Sequence, residues 1–382
     1  MAAITRFQVE VESGQVADLR TRLSLTRWPR SPGENDWSMG ADVSAVRALC
    51  DYWADGFDWT AFEGRLNRFD QYRTEVDGQP LHFYHVRSRE PDARPLLISH
   101  GWPGSPVEFL DVMGPLTDPA AHGGDPRQAF HLVVPSLPGF GFSGPTLTPD
   151  YDARRMARAF DTLMVRLGYD AYLAHGGDKG TLITMVLATS FPERVRAVHL
   201  CLAPAPPPDP DAPKAGLGPA DLAILDRNAA FAADETGYQQ LQRTKPQSLA
   251  VGLTDSPAGL AAWMMEKFRS WSDCNGDLFS VIPRDRLLDN ISLYWLTGTI
   301  GSSMQIYFAD HGPGRQQPLP TFDTPMGHAR FPREIIQTPR AWVEARYNLI
   351  HWSEPAQGGH FPAMEVPELL VADLRACFEG FR

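Results

Sequence analysis

From Pro95 to Leu200 the chain alternates short apolar runs with helical patterns: "PLLIS", "HLVVPS", the helix "ARRMARAFDTLMVRLGY", "AYLA", a helix after Gly180, then "VRAVHL". Apolar runs without polar alternation belong to strands buried on both faces, and strands separated by helices pair in parallel. The expected fold class is therefore α/β, with a mostly parallel sheet and helices on both faces. The stretch "APAPPPDPDAPKAGLG" interrupts the alternation, because proline cannot donate to a sheet ladder. Beyond it the patterns are mainly helical as far as Gly314, which makes this segment an inserted helical lid. In one of its helices Ser256 and Pro257 suit the N-cap and first turn, and Leu260, Trp263, Met264, Phe268 and Trp271 mark one face. Strand signals resume at "TPMGHARFP" and "YNLIHW", and "PELLVADLRACFEGF" is a closing helix. Ahead of the alternation lie two helical patterns and a hairpin, "QYRTEV" and "LHFYHV", turning at Asp77 and Gly78. The expected division is an N-terminal α+β extension over 1–90, the first part of the core over 91–203, the lid over 204–314 and the second part of the core over 315–382.

Composition removes several functional classes. A formal net charge of −11 without a basic stripe argues against nucleic acid as a partner. Cys50, Cys201, Cys274 and Cys377 are scattered without metal-ligand spacing, as expected of reduced cysteines in the cytoplasm. No secretory h-region and no run of about 18 apolar residues occurs, so no membrane association is expected.

The chemistry concentrates at "AYLAHGGDKGTLITMVLA". A strand that ends in Gly-Gly-Asp-Lys-Gly before a helix has the form of a nucleophile elbow, with Asp178 at the apex where a serine hydrolase carries its serine. "HGWPGSP" follows the strand "PLLIS", where this arrangement places an oxyanion loop, so the backbone N–H groups of Trp102 and Lys179 are the expected donors. Near the end of the chain "QGGHFPAMEVPELL" puts His360 at a loop tip, with Phe361 beside it. An acid is needed between nucleophile and histidine. Glu334 in "RFPREIIQ" is preferred over Asp310 and Asp323, which fall at the lid exit. The bland alternatives are an aspartate that caps a helix, a structural turn at Pro103 and Gly104, and a satisfied loop histidine.

These stretches, together with "LTRWPR", "YWADGFDW", "LNRFDQYRTEVDG", "VVPSLPGFGFSG", "LTDSPAGLAAWMMEKF" and "YWLTGTIGSSMQIY", resemble the microsomal-type epoxide hydrolases of the α/β-hydrolase fold, nearly end to end. The resemblance implies Asp178 as nucleophile, Glu334 and His360 as the water-activating pair, and two lid tyrosines, Tyr238 and Tyr307, that hold the epoxide oxygen. It also implies a small-molecule epoxide substrate opened to a vicinal diol, with no cofactor and no metal. A carboxylate fits this role, because an epoxide carbon is saturated and its opening by a carboxylate gives an ordinary ester. Lys179, Trp102, Trp263 and Phe361 are the expected pocket residues. The family usually carries tryptophan where this chain has Lys179. An ammonium aimed into the pocket would favour oxygen-rich epoxides. The membrane anchor with which some family members begin is not expected here, and a homodimer is compatible with the sequence. An Asp-acid-His set also suits a haloalkane dehalogenase, and a non-catalytic ligand-binding relative is the third reading.

Overall fold

The computed structural model describes residues 2–30 and 36–381. Among these residues nine strands form one sheet: β1 (Thr5–Phe7), β2 (Gln71–Val76), β3 (Gln79–Val86), β4 (Arg94–Ser99), β5 (Phe130–Pro135), β6 (Tyr172–Gly176), β7 (Val195–Leu200), β8 (Met326–Ala329) and β9 (Leu349–Ser353). Their spatial order is β1-β2-β3-β5-β4-β6-β7-β8-β9. The six strands from β5 to β9 in that order run parallel. β1, β2 and β3 add antiparallel, with β3 lying along β5.

The hairpin turns at Asp77 and Gly78, with φ of 52° and 77°, the left-handed pair that a two-residue turn between twisted strands requires. The extension therefore contributes strands to the same sheet as the core. Its helices brace the lid. Arg65 forms a two-pronged ion pair with Asp289 at 2.6 and 2.7 Å, Tyr52 donates to Asp285 at 2.7 Å, and the Trp53 indole donates to Ser292 at 2.9 Å. All three partners lie on the lid helix Arg284–Thr297.

The lid occupies the connection from β7 to β8 and holds the helices Pro219–Asp234, Gly237–Thr244, Pro246–Asp255, Pro257–Trp271, Arg284–Thr297 and Ile300–His311. Three of them start on proline, whose missing N–H costs nothing in a first turn. The Ser256 hydroxyl accepts the Gly259 N–H, the expected cap. Leu260, Met264, Phe268 and Trp271 of that helix are buried. Trp263 is only partly buried, and its indole reaches Gln242 at 3.4 Å. Among the described residues, no helix is long and apolar enough to cross a membrane.

Candidate active site

The turn from β6 into the helix Lys179–Ser190 places Asp178 at φ 48°, ψ −121°, a strained conformation for a residue with a side chain. Two glycines make the turn possible. A Cβ on Gly176 would lie 2.2 Å from the Gly180 carbonyl oxygen, and one on Gly180 would lie 2.0 Å from that of Ser99. The elbow thus packs directly on the end of β4, from which the "HGWPG" loop departs, and the Trp102 N–H donates to Asp178 Oδ1 at 2.8 Å. The Lys179 N–H opens the helix, where amide groups have no intrahelical partner.

His360 lies after β9, its own N–H held by the Trp271 carbonyl at 2.9 Å. Its Nδ1 donates to Glu334 Oε1 at 2.5 Å, which leaves Nε2 facing Asp178 Oδ2 at 3.6 Å. Burial opposes the imidazolium, but the Glu334 and Asp178 carboxylates outweigh it and carry His360 well above its ordinary value. For Asp178, burial pushes upward. His360, Lys179 and the Trp102 N–H overcome it and hold the carboxyl below the usual range. The expected nucleophile, acid and histidine therefore meet in one buried cluster.

Glu365 fixes the histidine loop by accepting the N–H groups of Asp273, Gly359 and Phe361 at 2.7, 3.0 and 2.8 Å. It had no recognised signal in the sequence, although it stands one helical turn after Phe361. Glu108 carries no sequence signal either. It lines the cavity at Asp178 together with Trp102, His360 and Phe361, a space of ≈ 20 Å³ that suits a single water.

An aromatic cage surrounds this point. The Tyr238 ring stacks on the Trp102 indole at 5.4 Å, and Tyr307 meets both edge-on at 5.9 and 5.8 Å. Trp271 packs against Tyr238 and His360, each at 5.1 Å. The Tyr307 hydroxyl is buried and faces the Tyr238 hydroxyl. Burial, reinforced by the Asp178 charge, raises both phenols, so they stay protonated donors at neutral pH. The other expected pocket residues divide. Trp102 and Phe361 line the cavity, whereas Trp263 and the Lys179 side chain do not. The Lys179 ammonium instead lies 3.7 Å from the Tyr307 ring centroid and 4.0 Å from Asp310 Oδ2, so internal partners occupy it.

Known proteins share this arrangement of domains. The epoxide hydrolase N terminus family matches residues 4–109, and the alpha/beta hydrolase fold family matches residues 94–250. A Stigmatella aurantiaca relative assigned to the epoxide hydrolases is 43% identical over 380 residues, 99% of this chain and 86% of its own. Epoxide hydrolase 1 of Sus scrofa is 34% identical over 98% of this chain and 88% of its own. The Aspergillus niger epoxide hydrolase structure superposes with a TM-score of 0.87 at 34% identity, covering 99% of this chain and 96% of that one. The juvenile hormone epoxide hydrolase of Bombyx mori gives 0.91 at 29% identity, covering 100% and 95%. The chain belongs to the epoxide hydrolases of the α/β-hydrolase fold.

Proposed function

We propose that this epoxide hydrolase works through an ester on Asp178. The observation that carries the reading is the division of labour between the two carboxylate oxygens: Oδ1 is bound by the Trp102 N–H, and Oδ2 stands toward His360. Oδ2 attacks an epoxide carbon, the C–O bond breaks, and the developing alkoxide is held by the hydroxyls of Tyr238 and Tyr307; it becomes the hydroxyl of the ester by taking up a proton by way of solvent, balanced by the one the His360 imidazolium gives up as the Asp178 charge is lost. Ester formation removes the charge of Asp178, one of the supports of the His360 imidazolium. The histidine's proton affinity therefore falls at the point where a base is needed. His360, oriented by Glu334, then takes a proton from water, which attacks the carbonyl carbon of Asp178. The oxyanion that forms on Oδ1 rests against the N–H groups of Trp102 and Lys179; as it collapses the ester C–O bond breaks, His360 returns the proton to the leaving oxygen, and the vicinal diol departs. This chemistry needs no cofactor or metal.

The substrate in this reading is a small-molecule epoxide. Four buried free cysteines accord with a cytoplasmic location, and a homodimer is compatible with the fold.

Single turnover in oxygen-18 water with enzyme in excess tests the mechanism. The label is expected in the Asp178 carboxylate, while the first diol released is unlabelled. The variant His360→Gln should accumulate the ester, visible as a mass increment on the elbow peptide. Label in the first diol, or no ester in the variant, would overturn the mechanism.

A further inference from the structure

Lys179 follows the nucleophile, yet its ammonium lies against the face of a lid tyrosine, 3.7 Å from the Tyr307 ring centroid. Asp310, one helical turn after Tyr307 in the helix Ile300–His311, stands 4.0 Å from it. Asp310 is itself fixed, because its Oδ1 accepts the N–H of Ala153 at 2.9 Å. Lysine and aspartate are 7% and 6% exposed. A buried ammonium on its own would tend to lose its proton, and burial does hold Lys179 below its ordinary value, with the charges of Asp310 and Asp178 offsetting part of the fall. The other phenol has a similar neighbour: Lys267 Nζ is 4.9 Å from the Tyr238 ring centroid and pairs with Glu266 at 2.6 Å.

We propose that Lys179, held by Asp310, is a positioning residue for Tyr307: its ammonium fixes the ring and strengthens the hydroxyl as a donor to the epoxide oxygen. The aromatic face is the negative pole of the ring, so a cation there is attracted to it. When the hydroxyl donates to a developing alkoxide, electron density builds on the phenol oxygen and spreads into the ring. The attraction then grows. An interaction stronger in the transition state than in the ground state accelerates ring opening without tightening substrate binding. In this arrangement the lysine acts through the tyrosine and makes no contact with substrate, which replaces the expectation of an ammonium that selects oxygen-rich epoxides.

The inference rests on Tyr307 being a donor, and the test separates the two. Ring opening and ester hydrolysis are measured in single turnovers with styrene oxide as the probe, followed by tryptophan fluorescence, for wild type, Lys179→Met, Tyr307→Phe and the double variant. Lys179→Met is expected to slow ring opening about tenfold, the scale of a desolvated cation–π contact. Ester hydrolysis should stay within about twofold, and KM should change less than kcat. In the Tyr307→Phe background the lysine change should cost nothing further, and Lys179→Arg should recover most of the rate. Equal slowing in both backgrounds, or equal slowing of both half-reactions, would overturn the proposal. Slowing by Tyr307→Phe with none by Lys179→Met would overturn it and leave the donor role standing. No slowing by Tyr307→Phe would remove both. If Lys179→Met does not fold, Lys179→Gln, which keeps a polar group beside Asp310, is held to the same outcomes.

Discussion

Glu108 gives the sharpest physical test of the site. It sits in the turn Pro106–Phe109, 8% exposed, with its carboxyl pressed so closely on Gly104 that a Cβ there would lie 1.3 Å from Oε1. Burial dominates its titration. The Asp178 charge adds to the rise, His360 and the Ser105 N–H relieve part of it, and the group is pushed up from 4.5 to about 8. Its folded value lies above its unfolded one, so its stabilising contribution is complete below about pH 4.5 and is lost as pH rises through about 8. Each tenfold in proton affinity is worth about 1.4 kcal/mol, which puts the full swing at roughly 4–5 kcal/mol as an upper figure. Glu108→Gln keeps the shape and never ionises. Relative to wild type, the variant should therefore gain about 2–4 kcal/mol between pH 5 and pH 9. Urea unfolding followed by tryptophan fluorescence across that range measures the difference. If the stability curves of the two proteins run parallel from pH 5 to 9, Glu108 titrates normally and the picture of a buried neutral acid beside Asp178 is wrong.

The elbow's interlock predicts that Gly180→Ala, whose methyl would collide with the Ser99 backbone, lowers stability by about 3 kcal/mol or more. Gly177→Ala, with nothing within 4 Å of its Cβ, should be nearly neutral. Equal melting temperatures for these two variants would contradict the packing described. At the junction of extension and lid, Asp289→Ala strands Arg65, while Arg286 keeps Asp111 at 2.9 Å, and should cost about 3 kcal/mol. Limited proteolysis should then cut the lid before the core, and an unchanged cleavage pattern would argue against the bracing role.

What the sequence made legible follows from how each feature is encoded. Asp178, Trp102 and His360 stand beside glycines that the backbone geometry demands, so local sequence marks them. Glu334 follows from chain order once the elbow is placed. The parallel strands β4 to β7 were readable because each is an apolar run bounded by a helix. By contrast β1 has three residues, and the helices Trp59–Leu66 and Gly237–Thr244 have eight each, too short to display a period. Tyr238, on one of these, was reached only through the family resemblance. Trp271 was visible as a core position, but its contacts with His360 and Tyr238 depend on how the lid docks. Trp263 lay on the same helical stripe and proved peripheral, because a stripe defines a face and not how deeply each residue on it is buried.

Lys179 shows the same limit in electrostatic form. Its position beside the nucleophile was plain, but what an ammonium does is set by its compensating charge, and Asp310 lies on another element far along the chain. In water such a pair at 4.0 Å would be worth about 1 kcal/mol; with both groups buried the coupling is larger, and so is the cost of losing either member. The same reasoning governs the whole site. Asp178, Glu108, Glu365 and Asp310 are all drawn largely out of bulk water by the aromatic cage or the loops beside it, and burial pushes each of them upward. Each answers differently: His360, Lys179 and an amide carry Asp178 below its ordinary value, three amides at Glu365 and a lysine at Asp310 offset burial only in part, and Glu108 keeps its proton. A charge held by so few partners responds strongly to any change beside it, and the loss of the Asp178 charge in the proposed ester would in this way lower the proton affinity of His360.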